Sequence, residues 1–262
     1  MQTKFGIRRN FARRAGTYDA HAQVQRYMAA ELLGLSAEAV RQARRILEVG
    51  CGTGYLTREL RRLNAQALLV AVDLDPALLQ AARQKLNGDT RTAWLAADGE
   101  AITRGRFDLI ISNSAFQWFS QPAETLANYA RCLTPGGRLA FTAVGPGTFP
   151  ELRRSLEQAA AELKTAGPDL AAARFPGDSD WQRLLEQAGF AHIRVQRHTL
   201  TVYFPSPQAF LKSLQATGAT NPVPRPLSPR LFRAMLTAYH ARFALNGAIP
   251  ATYELIWAEA RK

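Results

Sequence analysis

Ile46-Leu47-Glu48-Val49-Gly50-Cys51-Gly52-Thr53-Gly54 decides how the rest of the chain is read. Ile46, Leu47 and Val49 form a short apolar run that suits a buried strand. Glycines at alternate positions follow, and Tyr55-Leu56-Thr57-Arg58-Glu59-Leu60 reads as the start of a helix. A strand, a glycine turn and a helix in that order suit a nucleotide. The missing side chains let a ligand approach the backbone, and the first helical turn presents unpaired N–H groups. The spacing is G-x-G-x-G, with Tyr55 where a dinucleotide fingerprint G-x-G-x-x-G needs its third glycine, which disfavours NAD. A tight strand-to-helix turn with no ligand is the competing account.

Three further pieces follow in register. Leu68-Leu69-Val70-Ala71-Val72 reads as a second buried strand ending at Asp73, where an acid is placed to accept from ribose hydroxyls. Asp75-Pro76 opens the next helix, with proline at its first position. Trp94-Leu95-Ala96-Ala97 is a third strand, followed by Asp98. Both acids could instead be ordinary helix caps. Phe107-Asp108-Leu109-Ile110-Ile111-Ser112-Asn113 is a fourth strand, whose far end offers Asn113, Gln117, Trp118 and Phe119 as polar contacts and an aromatic wall. A helix over about 122–133, the turn Thr134-Pro135-Gly136-Gly137 and a fifth strand over 138–144 complete this half.

E-V-G-C-G-T-G, with the acids after the second and third strands and the L-x-P-G-G turn, resembles the core of the class I S-adenosyl-L-methionine (SAM) methyltransferases. The resemblance implies an α/β, doubly wound, Rossmann-like fold with a mostly parallel seven-stranded sheet and helical lid insertions. It implies one methyltransferase domain over 1–262: an N-terminal helical lid (1–45), a SAM-binding core (46–145) and C-terminal strands carrying lid helices (146–262). It implies SAM as cofactor, held by Glu48, Gly50, Gly52, Gly54, Asp73, Leu74, Asp98, Gly99 and Asn113, with Asp98 accepting from the adenine amino group.

A narrower resemblance rests on N-F-x-R-R-A-x-T-Y-D-x-H-A-x-V-Q (10–25), S-N-S-A-F-Q-W (112–118), L-K-S-L-Q-A-T-G-A-T (211–220) and T-Y-E-L-I-W-A (252–258). Together these resemble the malonyl-acyl-carrier-protein O-methyltransferases of biotin synthesis over nearly the whole chain; the length near 164–178 departs from the pattern. That family implies a carboxyl methyltransferase acting on malonyl-phosphopantetheine carried by acyl carrier protein. A SAM enzyme for a small acid such as aconitate, an RNA-directed one and a non-catalytic nucleotide-binding module are the alternatives.

Composition sets the remaining bounds. The 262 residues carry a formal net charge of +12, with no run of eighteen apolar residues and no apolar leader after Met1. Cys51 and Cys132 are the only cysteines, and no His/Cys cluster has metal spacing, so a cytoplasmic protein without metal or disulfide is expected. Residues 1–45 carry nine Lys/Arg against three Asp/Glu, residues 46–145 ten against nine, and residues 146–262 fourteen against nine. The excess therefore lies on the flanks, densest at Arg8, Arg9, Arg13 and Arg14, where an acidic carrier protein would dock. No aromatic-studded RNA-binding module and no membrane segment is read.

A carboxylate acceptor is already anionic at neutral pH and needs no general base. It does need a cation and hydroxyl or imidazole donors, and Tyr18, His21 and Lys212 are the candidates for holding it. Tyr18 and His21 share a face of a helix expected from Thr17 to Gly34, followed by a second helix over 37–45. In the second half, Leu152, Leu156, Ala159 and Leu163 share a helix face, and Ser179-x-x-Gln182 reads as a capping box ahead of a helix that Gly189 stops. Ile193 and Val195 sit on one parity and Leu200, Val202 and Phe204 on the other, which reads as a bulge in a long antiparallel strand. Ser206-Pro207 and Ser228-Pro229 each open a helix, and Tyr253, Leu255 and Trp257 alternate in a final strand.

Overall fold

A computed structural model describes residues 20–167, 170–217 and 227–262. Seven strands form one sheet: β1 (Arg45–Val49), β2 (Leu68–Asp73), β3 (Thr92–Ala96), β4 (Phe107–Asn113), β5 (Leu133–Val144), β6 (Ala191–Phe204) and β7 (Ile249–Arg261). Their order is β3-β2-β1-β4-β5-β7-β6. The first five run parallel, and β7 is antiparallel to both β5 and β6. The strand order reverses between β1 and β4, the switch point where open α/β sheets bind ligands.

Helices cover both faces. On one face lie α1 (Gln23–Gln42), α2 (Tyr55–Leu63), α5 (Pro150–Glu162), α7 (Pro207–Ala216) and α8 (Pro229–Phe243), packed on Ile46, Leu109, Ile111, Ala140, Leu255 and Trp257. On the other lie α4 (Pro122–Cys132) and α6 (Asp178–Gln187), packed on Leu47, Val49, Ile110, Leu139, Phe141 and Ile256. The α3 helix (Pro76–Lys85) carries Leu79 onto Ala71 and Cys51. The central strands are thus apolar on both faces, as buried parallel strands must be.

Three local expectations are corrected. Gly34 does not end a helix. The α1 helix runs through it to Gln42, because Val24, Met28, Leu32, Ser36 and Val40 keep one buried stripe at four-residue spacing. Ser36 Oγ also donates to Glu259 Oε1 on β7 at 3.0 Å. These contacts outweigh the ~1 kcal/mol that glycine costs inside a helix.

The second correction concerns α6, which begins at Asp178. Its cap is the Asp180 carboxylate, which accepts from the Gly177 N–H at 3.0 Å, so Ser179 is already helical.

The third concerns β6. Its register breaks only between Ala191 and Arg194, and pairing with β7 is regular from Arg194 to Phe204. The parity change has another cause: Ile193 and Val195 pack on the α4/α6 face, whereas Leu200, Val202 and Phe204 pack on the opposite one. One straight strand changes its covering layer halfway along. The proline-opened helices form as read, with Ser206 Oγ accepting from Ala209 N and Ser228 Oγ from Leu231 N, each at 3.2 Å.

Candidate cofactor cleft

The parallel strands end together at an open cleft of about 900 Å³, mouth included. Among the described residues, all those that line it lie between Val49 and Phe119. Gly50, Gly52, Asp73, Leu74, Asp98, Gly99 and Asn113, all expected from the sequence, are among them.

The glycine turn is held from three sides. Val72 O accepts from Gly50 N at 2.8 Å and Cys51 N at 3.0 Å. Asp73 Oδ2 accepts from Gly52 N at 2.8 Å, and Lys85 Nζ on α3 donates to Thr53 O at 3.0 Å. Gly50 has φ +72° and a Cβ there would stand 2.6 Å from that of Ala115. Gly52, at φ +54°, meets nothing within 4 Å, so its missing side chain is cleft space. Gly54 does not line the cleft; at φ +83° its missing Cβ would be 2.8 Å from Ala82 Cβ, so it lets α3 pack against the turn.

Both acids line the cleft and hold backbone N–H groups, but only Asp98 is a helix cap, since Asp75 caps α3. Asp73 Oδ1 accepts from Asp75 N at 2.9 Å, and Asp98 Oδ1 accepts from Glu100 N at 3.0 Å. Burial pushes the Asp73 carboxyl above its ordinary value, against the pull of the Asp75 and Gly52 N–H groups.

Glu48 lies directly behind the turn and is 1% exposed. Neither of its oxygens, nor the Thr57 hydroxyl, has a hydrogen-bond partner among the described residues. Burial, with the like charge of Asp73, raises its pKa to about 8, although Thr57 pulls the other way. A buried carboxylate without a partner is costly unless a cation reaches it.

Asn113 anchors the rim. Its Nδ2 donates to Gln25 O at 3.0 Å, and its Oδ1 accepts from Thr142 Oγ1 at 2.7 Å. The start of α1 is therefore pinned at the cleft. His21 stands four residues before Gln25, exposed and outside the lining. Lys212 is exposed on α7 and also outside the lining. Tyr18, Thr17, Arg8, Arg9, Arg13, Arg14 and the Gly218-Ala219-Thr220 piece lie outside the described residues.

Trp118 and Phe119 form the aromatic wall. Phe175 meets the Trp118 ring edge-on at 5.1 Å. It follows the turn Ala171–Arg174, so the stretch whose length departs from the family pattern returns to this rim. Sequence reasoning missed Asp75, Leu78, Glu100 and Ala115 as lining residues. Asp75 and Leu78 were findable, since a cap and the residue three beyond it share the N-terminal end of a helix.

A nucleoside with a cationic tail suits this donor set. Asp73 and Asp98 offer acceptors at successive strand ends, and Gly52 leaves room; Glu48, behind the turn and outside the lining, keeps both oxygens without a hydrogen-bond partner among the described residues.

Comparison with known proteins agrees. Residues 47–139 match a family model described as a methyltransferase domain. The solved structure of YcgJ from Bacillus subtilis superposes with a TM-score of 0.62 at 17% identity, covering 89% of this chain and 98% of its own. The [4+2]-cyclase SpnF superposes at 0.53 with 18% identity, covering 88% and 80% respectively. These likenesses are of fold alone, and a cyclase among them warns against reading chemistry from it.

Sequence relatives are more specific. A malonyl-[acyl-carrier protein] O-methyltransferase of Anoxybacillus flavithermus is 39% identical, covering 96% of this chain and 95% of the relative. Those of Paenibacillus sp. and Geobacter sulfurreducens are 38% and 35% identical, covering 96% and 98% of this chain. By these full-length matches, the chain belongs to the malonyl-[acyl-carrier protein] O-methyltransferase family.

Proposed function

We propose that this protein transfers a methyl group from SAM to the free carboxylate of malonyl-acyl-carrier protein. The products are the methyl ester and S-adenosyl-L-homocysteine, in an early step of biotin synthesis. The observation that carries this reading is the cleft of Gly50, Gly52, Asp73 and Asp98 in a chain of that family.

Asp73 would accept from the ribose hydroxyls, Asp98 from the adenine amino group, and Glu48 would face the ammonium group. The donor supplies an electrophilic methyl on a sulfonium sulfur. The acceptor carboxylate is ionised at neutral pH, so the chain need only hold it in line and exclude water. Alignment of that kind supplies on the order of 7–11 kcal/mol.

Tyr18, His21 and Lys212 would hold the acceptor carboxylate, and residues 1–45 with the helices of 146–262 would form the lid. His21 is close in sequence to Gln25, whose carbonyl holds Asn113 at the rim, which supports its part. Arg8, Arg9, Arg13 and Arg14 would steer the acidic carrier through contacts screened beyond about 8–10 Å at ordinary salt. A cytoplasmic setting accords with these partners, and no helix among the described residues is long and apolar enough to cross a membrane.

The test is labelled methyl transfer to malonyl-acyl-carrier protein, malonyl-CoA and free malonate. The carrier-bound acceptor should be preferred, with Tyr18→Phe and His21→Ala lowering turnover at nearly constant SAM affinity. No transfer to any malonyl acceptor by a protein that binds SAM would overturn the assignment.

A further inference from the structure

The adenine-side acid and the aromatic wall belong to different segments, yet one side chain ties them together. Glu100 sits in the short turn Gly99–Ala101, which the Asp98 side chain caps. Its backbone N–H is the group that Asp98 Oδ1 accepts, at 3.0 Å.

Glu100 lines the cleft, but its carboxylate points to the loop after the wall. Oε2 accepts from Ser120 N and Ser120 Oγ, both at 3.1 Å. Oε1 accepts from Gln121 N at 2.7 Å. Thr125 Oγ1 is also within 3.4 Å of Oε1, but its single proton has a better acceptor in Gln121 O at 2.9 Å.

Three donors thus converge on one carboxylate, two of them consecutive backbone N–H groups. Such charge-assisted bonds are the stronger kind. The residues just before them are Trp118 and Phe119.

Other contacts make the turn and the wall one body. Tyr129 Oη on α4 donates to Gly99 O at 2.9 Å. A Cβ on Gly99 would stand 2.5 Å from Val49 Cγ1 and 3.8 Å from the Phe119 ring. Gly99 thus packs tightly on the strand end and within van der Waals reach of the wall.

We infer that Glu100 is a positioning residue for cofactor binding: it clamps the Trp118–Phe119 wall to the turn that carries Asp98, so that both present to the same end of the ligand. This rests on the SAM reading of the cleft. Glu100 need not touch the cofactor; its oxygens are occupied by the loop, and it acts through Trp118 and Phe119.

The test is calorimetric binding of S-adenosyl-L-homocysteine to the full chain. The wild type should bind; if it does not, the SAM reading fails first and the two failures are told apart. Glu100→Gln places an amide N–H₂ against an N–H donor, so it should raise the dissociation constant about tenfold, the loss typical of a charged hydrogen bond. The Michaelis constant for the malonyl acceptor should stay within twofold.

Combination with the wall decides how Glu100 acts. In a Trp118→Ala, Phe119→Ala background, Glu100→Gln should add less than twofold, because groups that act as a unit are non-additive. A full tenfold loss in that background, or none in the wild-type background, overturns the proposal. Ser120→Ala removes one donor only and keeps the fold testable if Glu100→Gln does not fold. It should weaken binding two- to threefold with the wall present and not at all without it, and unchanged binding with the wall present overturns the clamp.

Discussion

The two halves of the chain contribute unequally to the cleft. Among the described residues, 49–119 supply all of its lining. The described residues from 146 onward supply β6, β7 and four α-helices, and none of the lining. Parallel strands all end at one edge, so a ligand site there is built from strand ends and the turns that follow them. Antiparallel β7 and its partner serve a different need, completing the sheet and burying one long face. Damage to the halves should therefore separate into lost affinity and lost stability.

The largest effect expected is in the second half. Phe210 on α7 is fully buried among Phe149, Phe204 and Tyr239. Phe210→Ala should cost about 3–5 kcal/mol in chemical denaturation. Affinity for S-adenosyl-L-homocysteine should stay within twofold. A tenfold loss of affinity would mean that α7 reaches the cofactor, and the division between halves would break.

Asp73→Ala is its counterpart in the first half. A charged acceptor for ribose hydroxyls is worth roughly 1.5–3 kcal/mol per bond, so affinity should fall at least tenfold. Stability should fall less than for Phe210→Ala, although Gly52 N and Asp75 N lose their acceptor. Unchanged affinity in a folded variant would remove Asp73 from the site.

Glu48 sharpens the comparison through pH. Its pKa in the folded chain is about 8, against an ordinary value of 4.5. Between those values the unfolded chain has released the proton that the native one keeps. Ligand-free stability from this group is therefore full below about pH 4.5 and declines as pH rises toward 8. The slope is at most about 1.4 kcal/mol per pH unit. Glu48→Gln should flatten that slope in denaturation curves taken from pH 5 to about 8, a window inside the two pKa values. An unaltered slope would place the titration elsewhere.

The smallest effect comes from two matched glycines. Gly52 and Gly136 have φ +54° and +75°, and at each a Cβ would meet nothing within 4 Å. Alanine at either should cost roughly 1–2 kcal/mol of left-handed strain. Only Gly52→Ala should weaken S-adenosyl-L-homocysteine, because only Gly52 faces the cleft. Equal affinities in the two variants would show that the turn does not meet the ligand.

What was legible divides along the same line. The first half was read strand by strand, because apolar runs, glycines and terminal acids are local signals that survive without tertiary knowledge. Glu100 was missed as a lining residue, since an acid that clamps a loop twenty residues on looks like any surface acid in sequence. Errors elsewhere arose where packing overrules local preference. Gly34 continues a helix because Met28, Leu32 and Ser36 are buried together, and the parity change in β6 marks two covering layers. The acceptor side is the least legible, because carboxylate-holding residues have no fixed spacing. Tyr18 and the N-terminal arginines also fall outside the described residues.

The place of β7 has a consequence for the chain as it is synthesised. It lies between β5 and β6, although it follows both in sequence. A ribosome that has made the chain only as far as Gly247 has released β6 with no strand to pair with, and β5 with one edge open. Fourteen residues of β6 then wait as unpaired strand. Trp257 Nε1 has yet to reach Met28 O, and Glu259 has yet to meet Ser36, so α1 waits as well. Unpaired edges of this kind invite pairing with other chains. The sheet should thus close late and in one step, and any nascent chain stalled before β7 becomes a substrate for chaperones or proteases while its glycine turn is already complete in sequence.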